Sequence, residues 1–205
     1  MEKYLYNYLL NIYKAYSFSN TVDFSLIIDS YKHYESLLKL WNLRVNLVSK
    51  RDVENLWKKH FIPSLKPLEL ELIPINSRCL DAGSGGGFPG IPLRIMRPDL
   101  VIDLCDSNRK KCLFLKEAVK LLGFQNFNVI NGRVEELQGG YDIITSRAAG
   151  RPQEMIKLLN PLLAADGKLI IWTAANYDIS MTSEDIVSYD VINSGKLIVI
   201  KKESL

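Results

Sequence analysis

Apolar residues recur at helical spacing through Tyr4, Leu5, Tyr8, Leu9, Ile12 and Tyr16, and again beyond Ser19-Asn20-Thr21 through Ile27, Tyr31, Tyr34, Leu38, Trp41 and Val45. The spacing predicts two amphipathic helices. A third is expected to start at Asp52, a good N-cap ahead of Val53, Leu56 and Trp57, and to stop close to Pro63. Aromatic side chains repeating at that period belong to a core, so the helices are expected to pack on whatever follows them. Pro67, Pro74 and the turn at Asn76-Ser77 mark the joint, which has no flexible glycine-serine linker.

From Arg78 the period changes. Short apolar runs at Cys79 to Ala82, Val101 to Cys105, Phe127 to Ile130, Tyr141 to Thr145 and Lys168 to Trp172 alternate with helical stretches. These are one that ends before Pro98, one from Arg109 to Leu122 closed by Gly123, a short turn at Val134 to Leu137, and one from Pro152 to Leu163. Alternation of this kind predicts five parallel strands with helices on both faces. Ile186 to Ile192 and Lys196 to Ile200 are joined by only Asn193-Ser194-Gly195, too short for a crossover, so they are expected to pair as an antiparallel hairpin. The expected organisation is an N-terminal helical region over 1–75 and an α/β domain over 76–205.

Composition narrows the class. The chain has 205 residues, 47% of them hydrophobic, enough for a substantial core. No stretch is long and apolar enough to span a membrane, and the start lacks the form of a signal peptide, so the expectation is a cytoplasmic protein without a membrane partner. Cys79, Cys105 and Cys112 show no paired spacing, which argues against a disulfide framework or a metal site. A formal charge of +3 neither demands nor excludes nucleic acid.

Chemistry concentrates in Leu80-Asp81-Ala82-Gly83-Ser84-Gly85-Gly86-Gly87-Phe88-Pro89-Gly90, where an apolar strand stops at an acid and becomes nearly all glycine. Glycine serves where backbone takes positive φ or lies against a ligand, which makes Gly83 and Gly85 candidate cofactor contacts. Gly85 to Gly90 spells the dinucleotide pattern G-x-G-x-x-G, with Asp106 about twenty residues on. Asp81 speaks against that cofactor, because a carboxylate two residues before the turn opposes a pyrophosphate. S-adenosylmethionine carries an ammonium and a sulfonium instead, and Asp81 suits it. Asp106, ending the second strand, has the chemistry to accept both ribose hydroxyls of either cofactor. Plain capping of the following turn or helix stands as the other reading of both acids.

The loop and its continuation Ile91-Pro92-Leu93 resemble the glucose-inhibited division protein B family, also called RsmG, which are bacterial small-subunit rRNA methyltransferases. The resemblance extends through Trp41-Asn42, Asn46-Leu47, Lys59-His60, Asp106-Ser107, Lys110 to Leu115, Arg133-Val134-Glu135-Glu136 and Ser146-Arg147-Ala148. It implies a class I (Rossmann-like) methyltransferase: a mostly parallel seven-stranded sheet with an antiparallel last pair, preceded by helices. It also implies methyl transfer from S-adenosylmethionine to N7 of a guanine in the 530 loop of 16S rRNA, with cofactor contacts at Gly83, Phe88, Val134, Glu135 and Arg147. The partner would be 16S rRNA or a small-subunit assembly intermediate, and the protein a monomer.

Guanine N7 has an in-plane lone pair and no proton to lose, so no general base is required. Arg147 and Arg133 are the expected substrate-positioning groups, and His60 is expected to serve packing or the helix surface. Lys50, Arg51, Lys58, Lys59, Arg109, Lys110, Arg151 and Lys201-Lys202 are candidates for RNA phosphate if folding gathers them on one face. The chain departs from the family pattern at Pro63, at Thr173, in the short segment 175–185 and at Gly195-Lys196, where Lys196 or Lys201 is expected to supply displaced charge. A non-catalytic RNA-binding or ribosome-assembly protein and an NAD-dependent oxidoreductase remain as alternatives.

Overall fold

In the computed structural model, which describes residues 3–16, 22–147, 151–177, 186–191 and 195–202, the apolar runs become one seven-stranded sheet. Its strands are β1 (Arg78–Ala82), β2 (Val101–Asp106), β3 (Phe127–Asn131), β4 (Tyr141–Arg147), β5 (Leu163–Thr173), β6 (Ile186–Val191) and β7 (Gly195–Lys201), in the order β3-β2-β1-β4-β5-β7-β6. The first five are parallel, and β7 lies antiparallel between β5 and β6. The helices are α1 (Lys3–Ala15), α2 (Phe24–Asn42), the short α3 (Ile62–Ser64) and α4 (Lys66–Glu69), α5 (Gly90–Met96), α6 (Arg109–Leu121) and α7 (Pro152–Leu159).

Helices cover both faces of the parallel strands, which is why β1 and β2 are buried almost throughout and read as unbroken apolar runs. The chain leaves β1 toward β2 and β3, then returns to β4 on the other side of β1. That reversal opens a crevice at the carboxyl ends of β1 and β4, the usual place for a ligand in such sheets. β4 runs on to Arg147, past the expected end at Thr145, and β5 starts five residues before Lys168 at Leu163. The hairpin turn at 192–194 and residues 178–185 lie outside the described residues.

The buried stripe of α2 (Ile27, Tyr31, Tyr34, Leu38) joins Ile91, Leu93 and Phe114 in one apolar cluster. Two hydroxyls from that stripe reach backbone of the glycine segment: Tyr31 Oη donates to the Pro92 carbonyl at 2.9 Å, and Tyr34 Oη donates to the Gly86 carbonyl. Arg97, fully buried, fastens the joint. It donates to both carboxylate oxygens of Asp99 (2.7 Å each) and to the carbonyls of Ile73 (3.1 Å) and Pro74 (2.8 Å), and it lies over the Tyr16 ring.

Two expectations for this region are corrected. α2 ends at Asn42, short of Val45, because the Asn42 side chain accepts from the backbone N–H groups of Leu47 and Val48 and turns the chain away. The third helix is broken into a 3₁₀ turn (Val53–Asn55), a π turn (Trp57–Phe61), α3 and α4. Asp52 makes no capping bond and pairs with His60 instead. Pro63 does not stop the run: the π turn has already sent the Ile62 N–H to Trp57, and Pro63 falls in the first turn of α3, where its missing N–H costs little.

Candidate active site

The glycines after β1 divide into two jobs. Gly83, Gly85 and Gly87 have φ of 77°, 57° and 87°, the left-handed region that other residues enter at a cost. Gly90 is there for space, since a Cβ on it would lie 2.4 Å from Leu104 Cδ2 and 2.9 Å from Asp81 Oδ2. The turn is seated by bonds from the N–H groups of Gly83 and Ser84 to the Cys105 carbonyl at the end of β2. Phe88 turns its ring inward, 4.8 Å from the His60 ring and 5.8 Å from that of Tyr34.

Asp81, expected to favour a cofactor ammonium directly or through water, sits behind the turn. It is 1% exposed; Oδ2 accepts the Gly90 N–H at 3.0 Å and Oδ1 the Thr145 hydroxyl at 3.2 Å. The carboxylate ties β1, the start of α5 and β4 together behind the turn, which is the capping reading of this residue. Burial pushes it up to about 7, against the pull of its hydrogen bonds from Gly90 and Thr145.

Asp106 stands at the carboxyl edge, nearly buried. It lines a cleft of about 430 Å³ together with Gly83, Arg133, Val134 and Glu135. Its Oδ2 accepts the Gly85 N–H at 2.9 Å with Lys111 Nζ 4.0 Å away, and its Oδ1 accepts the Asn108 N–H at 2.8 Å. The N-cap of α6 is Asn108, whose side chain accepts from Lys110 and Lys111.

Arg147 leaves β4 and reaches back to the π turn, donating to the carbonyls of His60 (3.4 Å) and Lys59. Burial holds it below its ordinary value, at about 10, so it stays a cation at neutral pH. Burial, helped by that cation, pushes His60 down to about 4. His60 is therefore a neutral ring whose Nε2–H donates to Asp52 Oδ2 at 3.2 Å. The ring packs on Phe88, in keeping with the packing role expected of it, and the bond to Asp52 adds a polar partner that the sequence did not announce.

Arg147 and His60 stand between two spaces. On one side is a cleft of about 200 Å³ over the glycine turn, which shares Gly83 and Lys111 with the Asp106 cleft. On the other is a cavity of about 800 Å³ lined by Asp52, Lys59, Arg151, Trp172 and Tyr177, among others. Of the basic candidates, folding brings Lys59, Arg147 and Arg151 to this cavity. Lys201 does not come near: it is in register with Lys168, and Lys202 bonds the Leu163 carbonyl, at the opposite end of β5. Lys196 is in register with Thr173 at the carboxyl edge, beside Gly195, which lines the cavity. Asp52 reads in the sequence as an N-cap, Lys111 is not set apart within the Lys110 to Leu115 stretch of the resemblance, and Trp172 reads as the end of an apolar strand, so none is named there for the site.

A five-stranded parallel run closed by a β7-β6 antiparallel pair, with a glycine turn after the central strand and an acid ending the next, defines a class I methyltransferase. A mutant of MtNAS solved in complex with S-adenosylmethionine shares the fold, with a TM-score of 0.55 at 16% identity over 83% of this chain and 72% of that one. The chain belongs to the GidB family, rRNA small subunit methyltransferase G, whose model matches residues 27–192. Proteins named ribosomal RNA small subunit methyltransferase G are 44% identical over 59% of this chain in Christiangramia forsetii and 40% identical over 78% of it in Laribacter hongkongensis. The matched part spans 57% of the first protein's own length and 78% of the second's. Membership in this family sets the nicotinamide reading of the glycine pattern aside.

Proposed function

We propose that the protein transfers a methyl group from S-adenosylmethionine to N7 of a guanine in the 530 loop of 16S rRNA. The observation that carries this reading is the pair of spaces meeting at Arg147 and His60: a glycine-floored cleft continuous with Asp106 on one side, a larger basic cavity with aromatic walls on the other. Donor and acceptor would enter from opposite sides of that junction.

The residues of the smaller clefts suit the cofactor. Gly83 and Gly85 leave the turn floor bare of side chains, and Asp106 is already fixed by two N–H donors, with oxygen lone pairs left for ribose hydroxyls. Val134 and Glu135 follow β3, where an adenine would lie, while Lys111 and Arg147 supply positive charge for the cofactor carboxylate. Phe88 lines the cleft over the turn, where its ring would lie against the cofactor. S-adenosylmethionine supplies an electrophilic methyl on a sulfonium, and the N7 lone pair needs alignment with it but no proton removal. A His60 held down at about 4 is a weak base, which agrees with a site that performs no acid-base work. Arg133, exposed at the rim of the Asp106 cleft, is placed for backbone phosphate.

Mass spectrometry of 16S rRNA from cells with and without the gene tests the proposal. The expected result is loss of one methyl from a 530-loop guanine, restored by the wild-type gene. Unchanged methylation would refute it and favour a ribosome-assembly role without catalysis.

A further inference from the structure

The larger cavity holds one feature that phosphate binding does not explain. Among its lining residues are three cations, Lys59, Arg147 and Arg151, and a single carboxylate, Asp52. An acid inside a basic cavity repels phosphate; Asp52 offsets part of the charge of Lys59 and Arg147, and its exposed oxygens suit a ligand that donates hydrogen bonds. The carboxylate is also held in place. Its Oδ2 takes the His60 Nε2–H, the His60 ring is fixed against Phe88 at an interplanar angle of 33°, and the Asp52 backbone N–H donates to Ser49 Oγ. The Asp52 side chain remains 30% exposed, open to the cavity.

The cavity walls include Trp172, whose Nε1–H is tied to the Pro63 carbonyl at 3.1 Å, and Tyr177. Aromatic walls, a cationic rim and an oriented carboxylate together make a receptor for a flipped base, since such bases are read by stacking and by hydrogen bonds to their Watson–Crick edge. With N7 turned toward the methyl donor, guanine presents N1–H and the N2 amino group on its far side. Those two donors match the two oxygens of one carboxylate. Adenine offers an acceptor at N1, which a carboxylate repels.

We infer that Asp52 reads the target base as guanine by accepting its N1–H and N2 amino hydrogens, and that His60 is the positioning residue that orients Asp52. This rests on the methyltransferase reading above and adds to it the group that selects the base.

The test uses full-length protein and 16S rRNA carrying either guanosine or inosine, which lacks the N2 amino group, at the target position. With wild-type protein, inosine should lower kcat/KM on the order of ten- to a hundredfold, as expected for one charge-assisted hydrogen bond. In Asp52→Asn that guanosine-to-inosine ratio should collapse toward one, while calorimetric affinity for S-adenosylmethionine stays at the wild-type value. His60→Ala should lower the ratio, and His60→Gln, which keeps an N–H donor, should restore much of it. A wild-type protein indifferent to inosine, or a ratio that Asp52→Asn leaves unchanged, overturns the inference alone. A wild-type protein that methylates neither RNA overturns the methyltransferase reading and the inference with it.

Discussion

Asp81 Oδ2 and the Gly90 N–H are joined across nine residues by a 3.0 Å hydrogen bond that closes the glycine turn from behind. The carboxylate making it is buried and sits at about 7, against 3.8 for an ordinary aspartate. The folded protein therefore holds this proton over a range where the unfolded chain has released it. The contribution is fully present below about pH 4 and is lost as pH rises through 7, by up to about 1.4 kcal/mol per unit. Asp81→Asn keeps an acceptor for Gly90 and carries no charge. Urea denaturation at several pH values should show the variant gaining stability relative to wild type between pH 4 and 7, then levelling. A constant difference would show that Asp81 does not titrate there.

Asp106→Asn should preserve one acceptor for the turn and remove the negative charge proposed to meet the ribose. The expected outcome in calorimetry is a loss of S-adenosylmethionine affinity on the order of tenfold to a hundredfold, with little change in melting temperature. Wild-type affinity would remove Asp106 from the cofactor contacts.

Arg97→Ala should be the most damaging of these substitutions to stability. It leaves the nearly buried Asp99 carboxylate and the carbonyls of Ile73 and Pro74 without their strongest donor. Breaking such a pair on one side costs about 3 to 5 kcal/mol. Chemical denaturation measures it, and a loss below about 1 kcal/mol would show that water replaces the guanidinium.

Lys59→Ala and Arg151→Ala address the proposed RNA face. Arg151 is paired only loosely with Glu154, at 3.9 Å with both side chains exposed, so its removal should leave stability nearly unchanged. Each substitution should lower the slope of log affinity for 16S rRNA against log salt by about 1, uniformly across RNA sequences. Unaltered slopes would move the phosphate contacts elsewhere on the surface.

Strand positions were legible because parallel strands buried on both faces leave unbroken apolar runs, as at Cys79 to Ala82. The hairpin was legible because Asn193-Ser194-Gly195 is too short to cross over. The Asp106 and Val134-Glu135 positions were legible because each follows a strand end, and strand ends in this topology share one edge. What escaped depends on side chains that reach across the chain. Nothing local to Arg147 announces that its guanidinium will bond carbonyls 87 and 88 residues earlier. Asp52 looked like an N-cap because the residues after it are helical, and only the π turn at Trp57–Phe61 brings His60 round to meet it. Asp81 was read from its charge and its place at the strand end, with capping as the other reading, and neither signal could show that it would be buried behind the turn.

The hydroxyl bonds from Tyr31 and Tyr34 to the glycine segment span 61 and 52 residues, and they run in one direction along the chain. During synthesis α2 is made first and must wait, its aromatic stripe uncovered, until the turn it supports emerges from the ribosome. Until then both hydroxyls have only water as partner, and the stripe is open to other apolar surfaces. The glycine turn is also seated on the Cys105 carbonyl of β2, so it closes only after β2 has followed it, and a fragment starting at β1 would leave the Gly86 and Pro92 carbonyls without the donors that α2 provides.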